Sequence, residues 1–181
     1  MSQTIITTDT PIQAPIVSRG PTHTLSILVN NEPGVLMRIC QVFSRRGFNI
    51  DSLVVSEGRN KNFSRMTIGI SGDPKGLEQI IMQVNKLIDV IHCSEHDIED
   101  AVVKELIMVK FLADDTQRTQ ALQIIEHFGG KTVDLTPRSM IALVSGNSTK
   151  IDAAISMFSQ FEIIETVRTG KVVMARGEQP T

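Results

Sequence analysis

Two carboxamides and a glycine at a helix start are the residues of this chain best suited to chemistry. The run Asn30-Asn31-Glu32-Pro33-Gly34-Val35-Leu36 closes an alternating apolar strand through Leu25, Ile27 and Val29. It opens an amphipathic helix whose stripe reads Leu36, Ile39, Val42 and Phe43. Pro33 suits the first residues of a turn or helix, where a missing N–H costs nothing. Gly34 allows a close backbone approach. The N–H groups of Val35, Leu36 and Met37 then fall at a helix N-terminus, where the dipole favours negative charge. Gly47-Phe48-Asn49-Ile50 follows that helix and brings a second carboxamide into the next strand. The set predicts a small-anion site, with a carboxylate on the helix start and the asparagines orienting the rest. The same residues also suffice for an ordinary strand–helix turn.

Other clusters carry less. Gly129-Gly130-Lys131-Thr132 has the letters of a phosphate loop, but Ile125 stands where the leading glycine is required. The tetrad also follows a helix instead of opening one. In His92-Cys93-Ser94-Glu95-His96 the two histidines share a strand face about 13 Å apart, at roughly 3.3 Å per residue. Cys93 points to the opposite face, so one metal ion cannot take all three. Arg45-Arg46 and Lys104-Glu105 read as solvated faces. No serine or cysteine sits on a sharp elbow, and no carboxylate pair marks a cleft. Glu32 is the one acid of the candidate turn. These observations favour ligand binding over catalysis.

Composition narrows the classes further. The chain has 181 residues, 41% of them hydrophobic and 21% charged, which describes an ordinary globular protein. The net charge of -2 and the absence of Trp and Tyr argue against a nucleic-acid surface. Cys40 and Cys93 lie in apolar periodic segments and read as two buried thiols, not a disulfide framework. No apolar run reaches membrane-spanning length, and no signal or transit pattern opens the chain, so the expected location is cytoplasmic.

The elements that must position the turn follow from periodicity. Residues 1–21 read as a flexible tail. Strands are expected at Thr24–Asn30, Ile50–Ser56, Ser64–Ile70 and Val90–Ile98. Helices are expected at Gly34–Arg46 and after Asp73, the latter burying Leu77, Ile80, Ile81, Val84 and Leu87. Glu57, Gly58, Arg59, Asn60, Lys61 and Asn62 form a polar hairpin loop. The second half repeats the order at an offset of about 82 residues, with Ile107, Val109 and Phe111 in the phase of Leu25, Ile27 and Val29. Gly129 then matches Gly47 as a helix stop. Its hairpin, Thr136-Pro137, is much shorter, and its last helix is capped by Asn147 or Ser148 and buries Ile151, Ala154, Ile155 and Phe158. The fold class is α+β, two ferredoxin-like βαββαβ domains over residues 22–99 and 100–177, with a short tail over 178–181. Units this small have modest cores and open sheet edges, so at least a homodimer is expected. The longer hairpin, present in one half only, is a candidate contact for a partner.

The run from Leu25 to Leu36 resembles the start of an ACT domain, the amino-acid-sensing βαββαβ module. Phe43-Ser-Arg-Arg-Gly-Phe-Asn-Ile-Asp-Ser-Leu53, Ser64-Arg-Met-Thr-Ile68, Lys86-Leu-Ile-Asp-Val90, Glu105-Leu-Ile-Met-Val-Lys110 and Asp134-Leu-Thr-Pro137 extend the likeness. Together they resemble the small regulatory subunits of acetolactate synthase. That resemblance implies a chain with no catalytic site, metal or cofactor of its own. Its partner would be a large catalytic subunit holding thiamine diphosphate, Mg and FAD. The small subunit would raise that partner's activity and confer feedback inhibition by valine or a related branched-chain amino acid. A free-standing ACT-type sensor coupled to another enzyme is the alternative. The resemblance also implies an effector site at an ACT–ACT interface. Asn31, Gly34, Val35 and Leu36 would come from one chain, with Asn49 and Ile50 across the interface or beside it. Pro33 departs from the serine common in the family, which stiffens the turn and removes a donor. The hairpin 57–62 is a candidate contact loop for the catalytic subunit, a tolerated surface insertion being the alternative.

Overall fold

The computed structural model describes residues 22–96, 100–178 and 181. The expected tail over 1–21 and the end of the fourth strand at Ile98 lie outside them. Thr22–Asn30 forms β1, Val35–Arg45 α1, Asn49–Glu57 β2, Phe63–Ser71 β3, Pro74–Val84 α2 and Val90–Glu95 β4. The second unit follows with Ala101–Leu112 as β5, Asp115–His127 as α3, Lys131–Leu135 as β6 and Ser139–Gly146 as β7. Ser148–Phe158 forms α4, Glu162–Arg168 β8 and Val172–Ala175 β9.

The two sheets have the same order. The first runs β2-β3-β1-β4 and the second β6-β7-β5-β8, all in antiparallel pairs. β9 returns to pair with the first residues of β5. Alternation within each strand sends one apolar set toward the helices. In the first unit Leu25, Ile27, Val29, Met66, Ile68 and Ile70 meet Ile39 and Phe43 of α1 and Leu77, Ile80 and Val84 of α2. In the second, Ile107, Val109 and Phe111 meet Ile124, Ile151 and Phe158. The Phe111 ring stacks on Phe161 with centroids 5.0 Å apart. Among the described residues, no helix is long and apolar enough to cross a membrane.

Four expectations need correction. Of the two thiols expected to be buried, Cys93 is and Cys40 is only partly so. The buried stripe of α1 is Val35, Ile39 and Phe43, whereas Leu36 is 36% exposed. Both stripes share Ile39 and Phe43; the expected one differs by a 100° step at its first residue, which periodicity does not resolve, and includes Val42, which is only partly buried. Glu57 belongs to β2, so the loop proper is Gly58–Asn62. Lys104-Glu105 is not a solvated face, because Glu105 is only 4% exposed. Its carboxylate accepts from the Ser148 hydroxyl and, at 2.6 Å, from Arg168 Nε. Burial pulls the Arg168 pKa down, but its bonds and charge pairing with Glu105 and Asp152 more than offset that, so it stands raised.

Candidate functional site

Gly34 is the N-cap of α1, in the left-handed region at φ 85° and ψ -8°, and no side chain caps the helix. The first helical rung is Arg38 N–H to Gly34 C=O at 3.1 Å. The N–H groups of Leu36 and Met37 precede that rung, and Val35 N–H makes only a 3.5 Å approach to Glu32 C=O. The Arg38 side chain folds back beneath the cap, so that a Cβ on Gly34 would stand 3.2 Å from Arg38 Nη1. Arg38 Nε donates to Asp89 Oδ2 at 2.7 Å, and the Asp89 carbonyl accepts from Asn30 N–H at 2.8 Å. Sequence reasoning missed this arginine. Its signal was a cation one helical turn past the glycine.

The duplicated half shows what such a helix start holds when it is filled. Asp114 is the N-cap of α3, and its carboxylate accepts from Thr116 N–H and Gln117 N–H, each at 2.9 Å. The Thr116 side chain and the Gln117 backbone hold its pKa below the usual carboxylate range. Counting from each cap, the matching N–H groups of α1 are those of Leu36 and Met37. Asp73 caps α2 and Asn147 caps α4 in the same way. Among the described helices, α1 is the one without a side-chain cap.

Asn31 is fastened to the hairpin. Its N–H donates to Asn62 C=O at 2.8 Å, and its Nδ2 donates to Lys61 C=O at 3.0 Å. Glu57 Oε1 lies 3.5 Å from the same nitrogen. The loop braces itself through Gly58 N–H to Phe63 C=O at 2.9 Å and Phe63 N–H to Asn60 C=O at 3.0 Å. The turn and the hairpin, separate features of the sequence, are one surface of the fold. Exposed Arg59 sits in the turn of the hairpin.

Asn49 and Ile50 lie elsewhere. Asn30 pairs with Phe63 and Asn49 with Ser71, at opposite ends of β3. Eight residues of strand separate those levels by roughly 26 Å. Asn49 Nδ2 donates to Asp51 Oδ1 at 2.8 Å. Asn49 and Ile50 line a shallow depression with Cys40, Phe43, Gly47 and Phe48. One chain therefore brings Asn31, Gly34, Val35 and Leu36 together and leaves Asn49 and Ile50 far from them. β2, which carries these two, is a sheet edge.

The remaining clusters are structural. Burial pushes the Cys93 thiol up to about 12, so it stays protonated at neutral pH. Its backbone N–H and C=O are both held by the Asn85 carboxamide. Among the described residues, no three His, Cys, Asp or Glu side chains gather as a metal site. Gly129, at φ 56°, ends α3, and Gly130 N–H bonds Ile125 C=O at 2.7 Å. That tetrad is a helix stop.

Two βαββαβ units, the first with an open helix start at the end of its sheet, define a two-domain protein of the ACT class. Residues 25–92 match the AHAS small subunit-like ACT domain, and residues 104–177 match the small subunit of acetolactate synthase. The chain is 43% identical over 156 residues to the acetolactate synthase small subunit of Mycobacterium bovis, covering 86% of this chain and 93% of that one. It is 42% identical over 157 residues to that of Mycolicibacterium smegmatis, covering 87% and 92%. The crystal structure of the Thermotoga maritima acetolactate synthase small subunit superposes with a TM-score of 0.80 at 35% identity, covering 88% of this chain and 99% of that one. The chain belongs to the acetolactate synthase small subunits.

Proposed function

We propose that this chain activates a thiamine-diphosphate-dependent catalytic subunit, which also carries Mg and FAD, and makes it subject to feedback inhibition by valine. The carrying observation is the uncapped start of α1 beside the Asp114 carboxylate that fills the same slot in α3. An amino-acid carboxylate fits the Leu36 and Met37 N–H groups, with the Arg38 guanidinium close by. The ammonium group needs acceptors, which the Asn31 and Asn49 carboxamides supply. Leu36 and Ile50 offer apolar surface to a branched side chain, while Val35 is buried in the core beneath the helix start.

Asn49 reaches this site from a second copy of the chain. Antiparallel pairing of two β2 edges across a two-fold axis lays the Asn49 end of one strand beside the Glu57 end of the other. The Glu57 end is where Asn31 sits. The dimer would also cover an open edge. The hairpin Gly58–Asn62 projects beside each site and is the segment we assign to contact with the catalytic subunit. Two arms test the reading. Isothermal titration of L-valine into the isolated chain should show saturable binding. Adding the chain to its catalytic subunit should raise acetolactate formation and make it valine-sensitive. Activation without any valine effect would remove the feedback role.

A further inference from the structure

The carboxamide of Asn31 has two ends, and the fold uses one of them. Lys61 C=O and the Glu57 carboxylate are both acceptors, so the amide nitrogen is the end turned to the hairpin. Oδ1 is therefore the end turned away. The hairpin is braced by its own bonds, including Asn62 N–H to Asn60 Oδ1 at 3.1 Å.

The second unit holds its hairpin differently. Arg118, four residues past the α3 cap, donates through Nη2 to Thr136 C=O at 3.2 Å and Pro137 C=O at 2.8 Å. A guanidinium with two carbonyls is a strong clamp. The residue four past the α1 cap is Arg38, and it is engaged by Asp89 instead. Beyond the backbone bond from Asn31 N–H to Asn62 C=O, the side chain that holds the first hairpin is the neutral amide of Asn31, the same side chain that borders the open helix start.

Resting on the effector reading above, we infer that Asn31 links two events: Nδ2 holds the hairpin while Oδ1 receives the ligand's ammonium group. Docking of the hairpin fixes the carboxamide in the orientation the ligand needs. Ligand binding in turn fixes it in the orientation the hairpin needs. The two strengthen each other, and the coupling is reciprocal. A partner that draws the hairpin away weakens effector binding, and effector binding holds the hairpin back from the partner.

The test uses the full chain with L-valine as probe. Replacing residues 58–62 by Asn-Gly leaves Asn31 in place but removes both its hairpin acceptors, the Lys61 carbonyl of its side chain and the Asn62 carbonyl of its backbone. Valine affinity should fall by roughly three- to tenfold, the worth of one hydrogen bond. Asn31→Asp keeps an oxygen for the ammonium but cannot donate to Lys61. Without ligand, it should speed amide exchange at Gly58 and Phe63. In the wild-type chain, saturating valine should slow exchange at both amides and at Asn31. Valine binding with unchanged hairpin exchange, or unchanged affinity in the short-hairpin variant, overturns the link alone. No valine binding to the wild-type chain overturns the effector reading and the link with it.

Discussion

Gly34 does two things, of which only the first requires the absence of a Cβ. It turns the chain at φ 85°, and it leaves the α1 N–H groups uncovered. Gly34→Ala tests the first alone. A left-handed angle costs an L-residue roughly 1–2 kcal/mol, and the added methyl meets only the flexible end of Arg38. This variant should melt a few degrees lower yet still bind valine. Gly34→Asp tests the second, because it adds a carboxylate of its own where Asp114 holds one in α3. It should lose valine binding while still assembling with the catalytic subunit, as read by calorimetry and co-purification. Retained valine sensitivity in an assembled Gly34→Asp complex would sink the site. Asp114 gives a matching test by pH. Its folded pKa lies below the ordinary value of 3.8, so its stabilising effect is full above that value and fades as pH falls through the folded pKa. Asp114→Ala should therefore lower the melting temperature at pH 7 and differ less from wild type in melts below about pH 4.

At the scale of elements, α1 shows how packing settles what pattern leaves open. Ile39 is fully buried and Met37 is 65% exposed, though both lie on an amphipathic helix. Ile39→Ala should cost about 2–5 kcal/mol in urea melts, from lost burial plus a cavity. Met37→Ala should stay within about 0.5 kcal/mol. A large loss at Met37 would mean that its face of α1 is covered in the folded protein. Local signals were legible in the sequence: strand phase in β1 and β5, the Asp73 cap, the helix stop at Gly129. Each depends on neighbours a few residues apart. The links that define the site are not local. Asn31 reaches Lys61 across 30 positions and Arg38 reaches Asp89 across 51. No periodicity encodes such pairs, which is why the turn and the hairpin read as unrelated. Glu105 misled for the same reason, since its partners Ser148 and Arg168 lie 43 and 63 positions away.

On the scale of the whole molecule, the separation of Asn31 from Asn49 is the most informative distance. The sequence allowed Asn49 to stand beside Asn31 or across an interface. The register of β3 puts the two at opposite ends of the sheet, which rules out one chain bringing them side by side. If two β2 edges pair antiparallel, every complete site draws Asn31 from one chain and Asn49 from the other. Asn31→Ala and Asn49→Ala should each abolish valine binding as homodimers. In a mixed dimer, one site carries both substitutions and the other carries neither. Random mixing makes half the dimers mixed, each with one intact site of two, so about a quarter of wild-type capacity should return. A site built within a single chain would recover nothing on mixing. A Val55→Glu substitution on the β2 edge separates the remaining possibility. Val55 is 45% exposed in the chain alone, so a glutamate there should leave the monomer folded. Pairing that sets Asn49 beside Glu57 puts residue 55 opposite Asp51 of the other copy, so the added negative charge should weaken the dimer and lower valine affinity in proportion, by sedimentation and calorimetry on the same sample. Loss of the dimer with full valine affinity would place Asn49 outside the site and return the ligand to the α1 start of one chain.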